Sequence, residues 1–317
     1  MTESNEQVLN TPVETEPAIP KAKKIHGMVE KVSVGRIIFL IIAIGLLVFT
    51  AFICILPLWH VIMASFSDGF SLYTSDSILF IPVGKVSFEG YKLVFALPEV
   101  WKGYAMTIFY VVASTLLGVF LTLCGGYYLS RKTLWTKFVG IFIIITMMFS
   151  GGLVPTYMVI RSLGMINTPF AIIIPGCTNA IYIMMAATAF RAVPASIEEA
   201  ARLDGCGHWR MMFKIYFPMA KGIMMVVAMN CVVMQWNSWF AASIYLPTER
   251  DLWPLQLVMK DLMAQYSEAN ILQKLPINFD QFNIQYVLIV ISTIPLLIAC
   301  PFFQRYFGNA TIGGVKE

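Results

Sequence analysis

Six stretches of this chain are apolar throughout and carry no Asp, Glu, Lys or Arg in their interior: about 37–59, 104–129, 138–160, 170–190, 221–245 and 284–304. Each has the length of about 20 residues that an α-helix needs to cross the hydrocarbon core of a bilayer. A soluble domain cannot hide six such stretches behind the surface charge available. The chain is 58% hydrophobic and only 13% charged, against about 25% charged residues in an ordinary soluble domain. The expected fold class is therefore an all-α integral membrane protein with about six transmembrane helices. The third and fourth spans contain Gly151, Gly152, Pro155 and Pro175, which a membrane helix tolerates where neighbours satisfy the freed backbone groups.

Lys and Arg set the expected orientation. With the N-terminus inside, fifteen of the 22 basic residues fall on the inner side, from Lys21 through Arg131, Arg191 and Arg202 to Lys316. The outer segments hold Lys85, Lys92, Lys102, Arg161, Arg250, Lys260 and Lys274. Both termini are expected in the cytoplasm. Residues 1–35 read as a polar, disordered cytoplasmic tail rather than a cleavable signal, because the apolar run that follows is too long for one. Residues 36–317 read as the transmembrane domain.

The bare interior excludes one mode of work. Ion-coupled transporters place ionisable groups at membrane depth, and none is present here. The chain also lacks the G-x-x-x-x-G-K-[ST] loop that cradles nucleotide phosphates, so active transport needs energy from another subunit. Cys54, Cys124, Cys177, Cys206, Cys231 and Cys300 match no metal-ligand spacing, and His26, His60 and His208 are isolated. No metal site and no cofactor bound by this chain are expected.

The segment 191–220, between the fourth and fifth spans, carries the strongest pattern. Ser196 and Glu199 have the spacing of a capping box, which predicts a helix over about 197–203. Gly205 suits a left-handed turn at its end. A second amphipathic stretch covers about 208–216, and Pro218 marks the start of span five. Taken alone this is either a solvated loop helix or a rigid element against which a motor subunit pushes.

The run Glu199-Ala200-Ala201-x-x-Asp204-Gly205, followed by Ile215-x-Phe217-Pro218, closely resembles the EAA loop of binding-protein-dependent ABC importer permeases. That loop usually ends Leu-Pro, often with a further Pro four residues later; this chain has Phe217 and Gly222 instead. Pro57-Leu-Trp-His60, Phe149-Ser-Gly-Gly-Leu-Val-Pro-Thr156, Trp236-Asn237-Ser238-Trp-Phe240 and Trp253-Pro-Leu-Gln256 are similar to the carbohydrate-uptake permeases, in particular the oligosaccharide and polysaccharide subgroup. The resemblance implies that Glu199, Ala200, Ala201, Asp204, Gly205, Ile215 and Pro218 couple the chain to an ATPase. It implies half of a translocation pathway in a bacterial inner membrane, completed by a second, homologous permease subunit. Two ATP-binding subunits carrying ATP and Mg, an extracytoplasmic solute-binding protein and an oligosaccharide substrate complete the expected set, with no nucleic acid.

Sugars are held by hydrogen bonds to hydroxyls and by aromatic faces. Asn179, Tyr182, Gln235, Trp236, Asn237 and Trp239 supply both kinds of group in spans four and five and are candidates for the pathway. The alternative is that these groups bond neighbouring helices. Two rival functions remain open on residues alone: a secondary transporter working by itself, and a membrane component that only docks partners.

Overall fold

The computed structural model describes residues 34–73, 75, 77–131, 133–266 and 281–312, so nearly all of the tail lies outside the described residues. Within them the chain is helical. It runs α1 (Val34–Ser65), α2 (Gly69–Tyr73), α3 (Glu89–Ala96), α4 (Pro98–Ser130), α5 (Thr136–Met148), α6 (Leu153–Ser162), α7 (Phe170–Gly176), α8 (Ala180–Arg191) and α9 (Ala195–Leu203). Next come α10 (His208–Met211), a π turn (Met212–Tyr216), α11 (Phe217–Met219), α12 (Lys221–Trp236), α13 (Trp239–Tyr245), a 3-10 turn (Arg250–Leu252), α14 (Leu255–Tyr266) and α15 (Gln281–Ile312). The chain divides into two compact units at Ile55/Leu56. The described part of the first, from Val34, is one turn after another of exposed apolar side chains. The second holds all the remaining elements.

Three helices are long and apolar enough to cross a membrane unaided: α1, α4 and the Asn283–Arg305 part of α15. Three bent pairs bring the count to six. The third span is not a straight helix. Gly152, at φ +83°, separates α5 from α6, and their axes differ by 118°. The fourth bends by 43° between α7 and α8. The fifth is shorter than its apolar run: α12 stops at Trp236, and α13 starts separately at Trp239. Before α12 the chain turns by 87° at Ala220, so the start of the span lies two residues beyond Pro218.

α4 is the spine of the second unit. Its 33 residues span about 50 Å at 1.5 Å per residue. Gly103, Thr107, Ser114, Gly118, Thr122 and Gly126 recur mostly at four-residue intervals and are buried, the small-residue stripe by which membrane helices approach closely. A Cβ on Gly118 would stand 1.8 Å from the Cys177 carbonyl oxygen, and one on Gly126 would stand 2.6 Å from Ala186 Cβ. Near the other end, the Leu255 amide donates to Thr107 Oγ1 at 2.7 Å. Tyrosines tie the rest to this spine: Tyr104 Oη donates to the Ile291 carbonyl and Tyr110 Oη to the Leu252 carbonyl, at 2.6 and 2.8 Å.

Gly118→Ala should therefore destabilise the fold by about 1–3 kcal/mol or more, the cost of overpacking. Gly45→Ala, where nothing lies within 4 Å of the added methyl, should be close to neutral. Thermal unfolding in detergent measures both, and equal effects would contradict the close approach.

Candidate coupling site

Pro194 is extended (φ −57°, ψ 135°) and starts α9 at Ala195 with no side-chain cap. The expected capping box is absent. Ser196 lies inside the first turn, where its hydroxyl has no free amide three residues on, and Glu199 is the fifth helical residue rather than the third. The far end agrees with the sequence reading. Gly205 has φ +71°; its amide donates to the Arg202 carbonyl at 3.0 Å, and the Cys206 amide donates to Ala201 at 2.9 Å. This is the paired closure of a left-handed helix end.

The neighbouring glutamate does the work that sequence analysis missed. Arg202 Nε and a terminal nitrogen donate to Glu198 Oε1 at 3.0 and 2.8 Å, and Arg131, the residue that ends α4, donates to the same oxygen. Tyr216 Oη donates to Glu198 Oε2 at 2.8 Å. The Arg131 guanidinium lies over the rings of Tyr127 and Tyr216, 4.2 and 4.9 Å from their centroids. Those two rings meet edge to face at 5.3 Å, and Tyr127 Oη lies 3.1 Å from His208 Nδ1. Beneath them Leu123, Phe190, Ala201, Met211, Met212 and Met224 form a buried cluster. Arg191 adds a second tie to the spine by donating to the Leu129 carbonyl at 2.9 Å.

The two faces of α9 differ accordingly. Ala201 is buried and Glu198 half-buried, whereas Glu199, Ala200, Leu203, Asp204 and Gly205 are exposed. Leu203 is 89% exposed, which is costly for a leucine with nothing against it. Among the described residues the Glu199 carboxylate has no hydrogen-bond or ion-pair partner. Trp209 and Phe213 stack at 6.3 Å on the exposed side of the next segment. Ile215 packs at the edge of the buried cluster. Pro218 is exposed and lies just after the π turn, where the Phe217 amide reaches back five residues to Met212; a proline lacks the amide an α-turn would need there.

The pathway candidates separate into two groups. Trp236 is buried, and its Nε1 donates to the Ser292 carbonyl at 3.0 Å, so within this chain it joins α12 to α15. Gln235 is buried with Oε1 2.8 Å from where a Gly176 Cβ would stand, and its Nε2 has no partner among the described residues. The others mark helix breaks. Asn179 Oδ1 accepts from the Ile181 amide at 3.0 Å and caps α8. Asn237 is exposed and ends α12, its Nδ2 donating to the Val233 carbonyl at 2.9 Å. Trp239 starts α13, with Lys260 Nζ 3.8 Å from its ring centroid. Tyr182 is half-buried in the first turns of α8. Among the described residues no three His, Cys, Asp or Glu side chains converge as a metal site.

No protein-family model matches the sequence. The chain is 32% identical over 281 residues to the polygalacturonan/rhamnogalacturonan transport system permease protein YtcP of Bacillus subtilis (strain 168), covering 86% of this chain and 96% of that one. The chain belongs to the permease family of sugar ABC importers. It is also 24% identical to the arabinooligosaccharide permease AraQ of Halalkalibacterium halodurans, over 84% of this chain and 93% of the relative. A bacterial ABC transporter for import of the acidic polysaccharide alginate superposes with a TM-score of 0.76 at 28% identity, over 87% of this chain and 98% of that chain. As an ABC permease the chain is a transport subunit and not an enzyme.

Burial alone would raise the Glu198 carboxyl; the hydrogen bonds from Tyr216 and Arg202 and the Arg131 charge outweigh it and hold it below the ordinary 4.5. With a depressed folded value, the stabilisation is complete above the unfolded value and is lost as the pH falls through the folded one. The Tm difference between wild type and Glu198→Gln in detergent should therefore shrink as the pH is taken from about 7 to about 3, through the carboxylate range. An undiminished difference would contradict the ionic role.

Proposed function

We propose that the exposed side of α9 is the surface on which an ATP-binding subunit docks, with Glu199, Ala200, Asp204 and Gly205 at its centre and Leu203 supplying apolar contact. Ala201, Ile215 and Pro218 shape the element from within. The observation that carries this reading is the contrast between adjacent carboxylates: Glu198 is saturated by its own chain and Glu199 is left without a partner. The complete transporter then holds a second, homologous permease subunit, two ATPases carrying ATP and Mg, and an extracytoplasmic binding protein. Both termini and α9 lie in the cytoplasm, in keeping with the basic residues. Residues 1–35 are a cytoplasmic tail on the transmembrane domain 36–317.

The opposite end of α4 then faces the binding protein. Asn179, Tyr182, Asn237 and Trp239, at or near the two helix breaks, with Gln235 behind them, are the proposed sugar-contacting set; broken helices are sites where transporters hold cargo. Trp236 supports them from the core. The cargo is an oligosaccharide carrying carboxylates. Lys260 lies over Trp239 with no carboxylate partner among the described residues, and YtcP and the alginate transporter are named for acidic polymers.

Two measurements on the reconstituted transporter test these assignments. Glu199→Lys puts positive charge on the docking surface and should abolish stimulation of ATP hydrolysis by loaded binding protein while membrane insertion stays normal; full stimulation would sink the docking reading. Lys260→Gln should lower uptake of uronate oligosaccharides about tenfold, the effect of losing one charge-assisted contact of about 1.4 kcal/mol, and spare neutral ones. Equal loss for both sugars would assign Lys260 to folding.

A further inference from the structure

Glu198 and Glu199 are neighbours in sequence and cannot share one task, because they point to opposite sides of α9. The helix is nine residues long and is flanked by irregular backbone at residues 192–194 and 204–207. A helix so mounted yields when pushed, unless something holds it to a rigid element. Ala201 offers only a methyl group to the buried cluster. The directional contacts all converge on the Glu198 carboxylate: one oxygen takes Arg131 from the end of α4 and Arg202 from α9 itself, and the other takes Tyr216 from the π turn.

We infer that Glu198, Arg131 and Tyr216 form a positioning latch that makes α9 and the end of α4 move as one body, while Glu199 is left to the motor. The inference rests on the reading of α9 as the docking element. Its geometry suits the task. Arg131 has a side chain only 10% exposed. It is fixed from both sides by the rings of Tyr127 and Tyr216, and it stands at the C-terminal, negative end of the α4 dipole. A planar guanidinium held this way presents its donors in one direction, which a flexible ammonium would not.

Movement taken up by the latch has a defined route. α4 runs from Arg131 to Gly118, which touches the Cys177 carbonyl at the bend of the fourth span. Gln235 abuts Gly176 beside the same bend. A displacement of α9 therefore reaches, through one rigid helix, the break at which Asn179 caps α8. Without the latch, the motor's stroke would be absorbed by the two flanking loops. ATP would be consumed with little sugar moved.

The experiment compares ATP hydrolysed per sugar imported in proteoliposomes holding the whole transporter. Glu198→Gln keeps size but removes the charge. It should leave the ATP-binding subunits bound in normal proportion and raise the ratio about tenfold, since losing one charge-assisted hydrogen bond shifts the latched state by about that factor. Tyr216→Phe, which deletes a single hydroxyl, should raise it less. A purely structural role predicts something else: hydrolysis and uptake fall together with the amount of assembled complex, and the ratio stays at the wild-type value. That constant ratio in both variants would overturn the latch. If Glu198→Gln does not assemble, the ratio in Tyr216→Phe alone decides. Glu199→Lys separates the two claims: loss of bound ATPase there concerns docking, whereas the latch is judged only by the ratio in variants that retain it.

Discussion

The hydrogen-bonded ion pair between Arg131 and Glu198 is the contact on which the rest of the described structure turns. Both side chains are mostly withdrawn from water, 10% and 25% exposed. Such a pair gains little over apolar packing, but breaking it leaves an uncompensated charge at a cost of about 3–5 kcal/mol. Here the geometry also supplies what a partly buried pair needs. The carboxylate has further donors in Arg202 and Tyr216, and the guanidinium has two aromatic faces. The pair therefore fixes the orientation of a short helix that has almost no hydrophobic face of its own.

That orientation gives the subunit its polarity. One end of α4 holds the latch, Tyr127 and the methionine-rich cluster. The other end holds Lys102, Gly103 and Thr107 against Asp251 and Leu255. The stripe of small residues between them brings the bends of the fourth and fifth spans within van der Waals reach of the same helix. An ABC permease must join a motor on one side of the membrane to a cargo path on the other, and α4 is the element of this chain that touches both regions.

The fold class was legible because apolar runs without charge can only be membrane helices, and the family was legible from Glu199-Ala-Ala and Asp204-Gly205. Gly205 was readable too, since few residues other than glycine sit at φ +71°. The capping box was misread because the pattern of Ser196 and Glu199 says nothing about Pro194, whose fixed φ starts the helix earlier. Glu198 escaped notice although its spacing to Arg202 is that of a helical ion pair; its decisive partner, Arg131, lies 67 residues away, and no local pattern points there. Trp236 looked like a sugar-stacking ring, but aromatic character does not reveal which side of a helix faces Ser292. The 118° break between α5 and α6 was signalled only by Gly151-Gly152, which an unbroken membrane helix also tolerates.

The most direct measurement is a distance. Spin labels at Tyr128 of α4 and Leu203 of α9, with the native cysteines replaced, report the separation of the two elements in the assembled transporter by pulsed electron resonance. If the latch holds, the distance keeps one narrow distribution through the nucleotide-free and ATP-bound states, and the distribution broadens only when Glu198 is replaced by Gln. A distance that changes between the two nucleotide states in the unmodified latch would contradict the account.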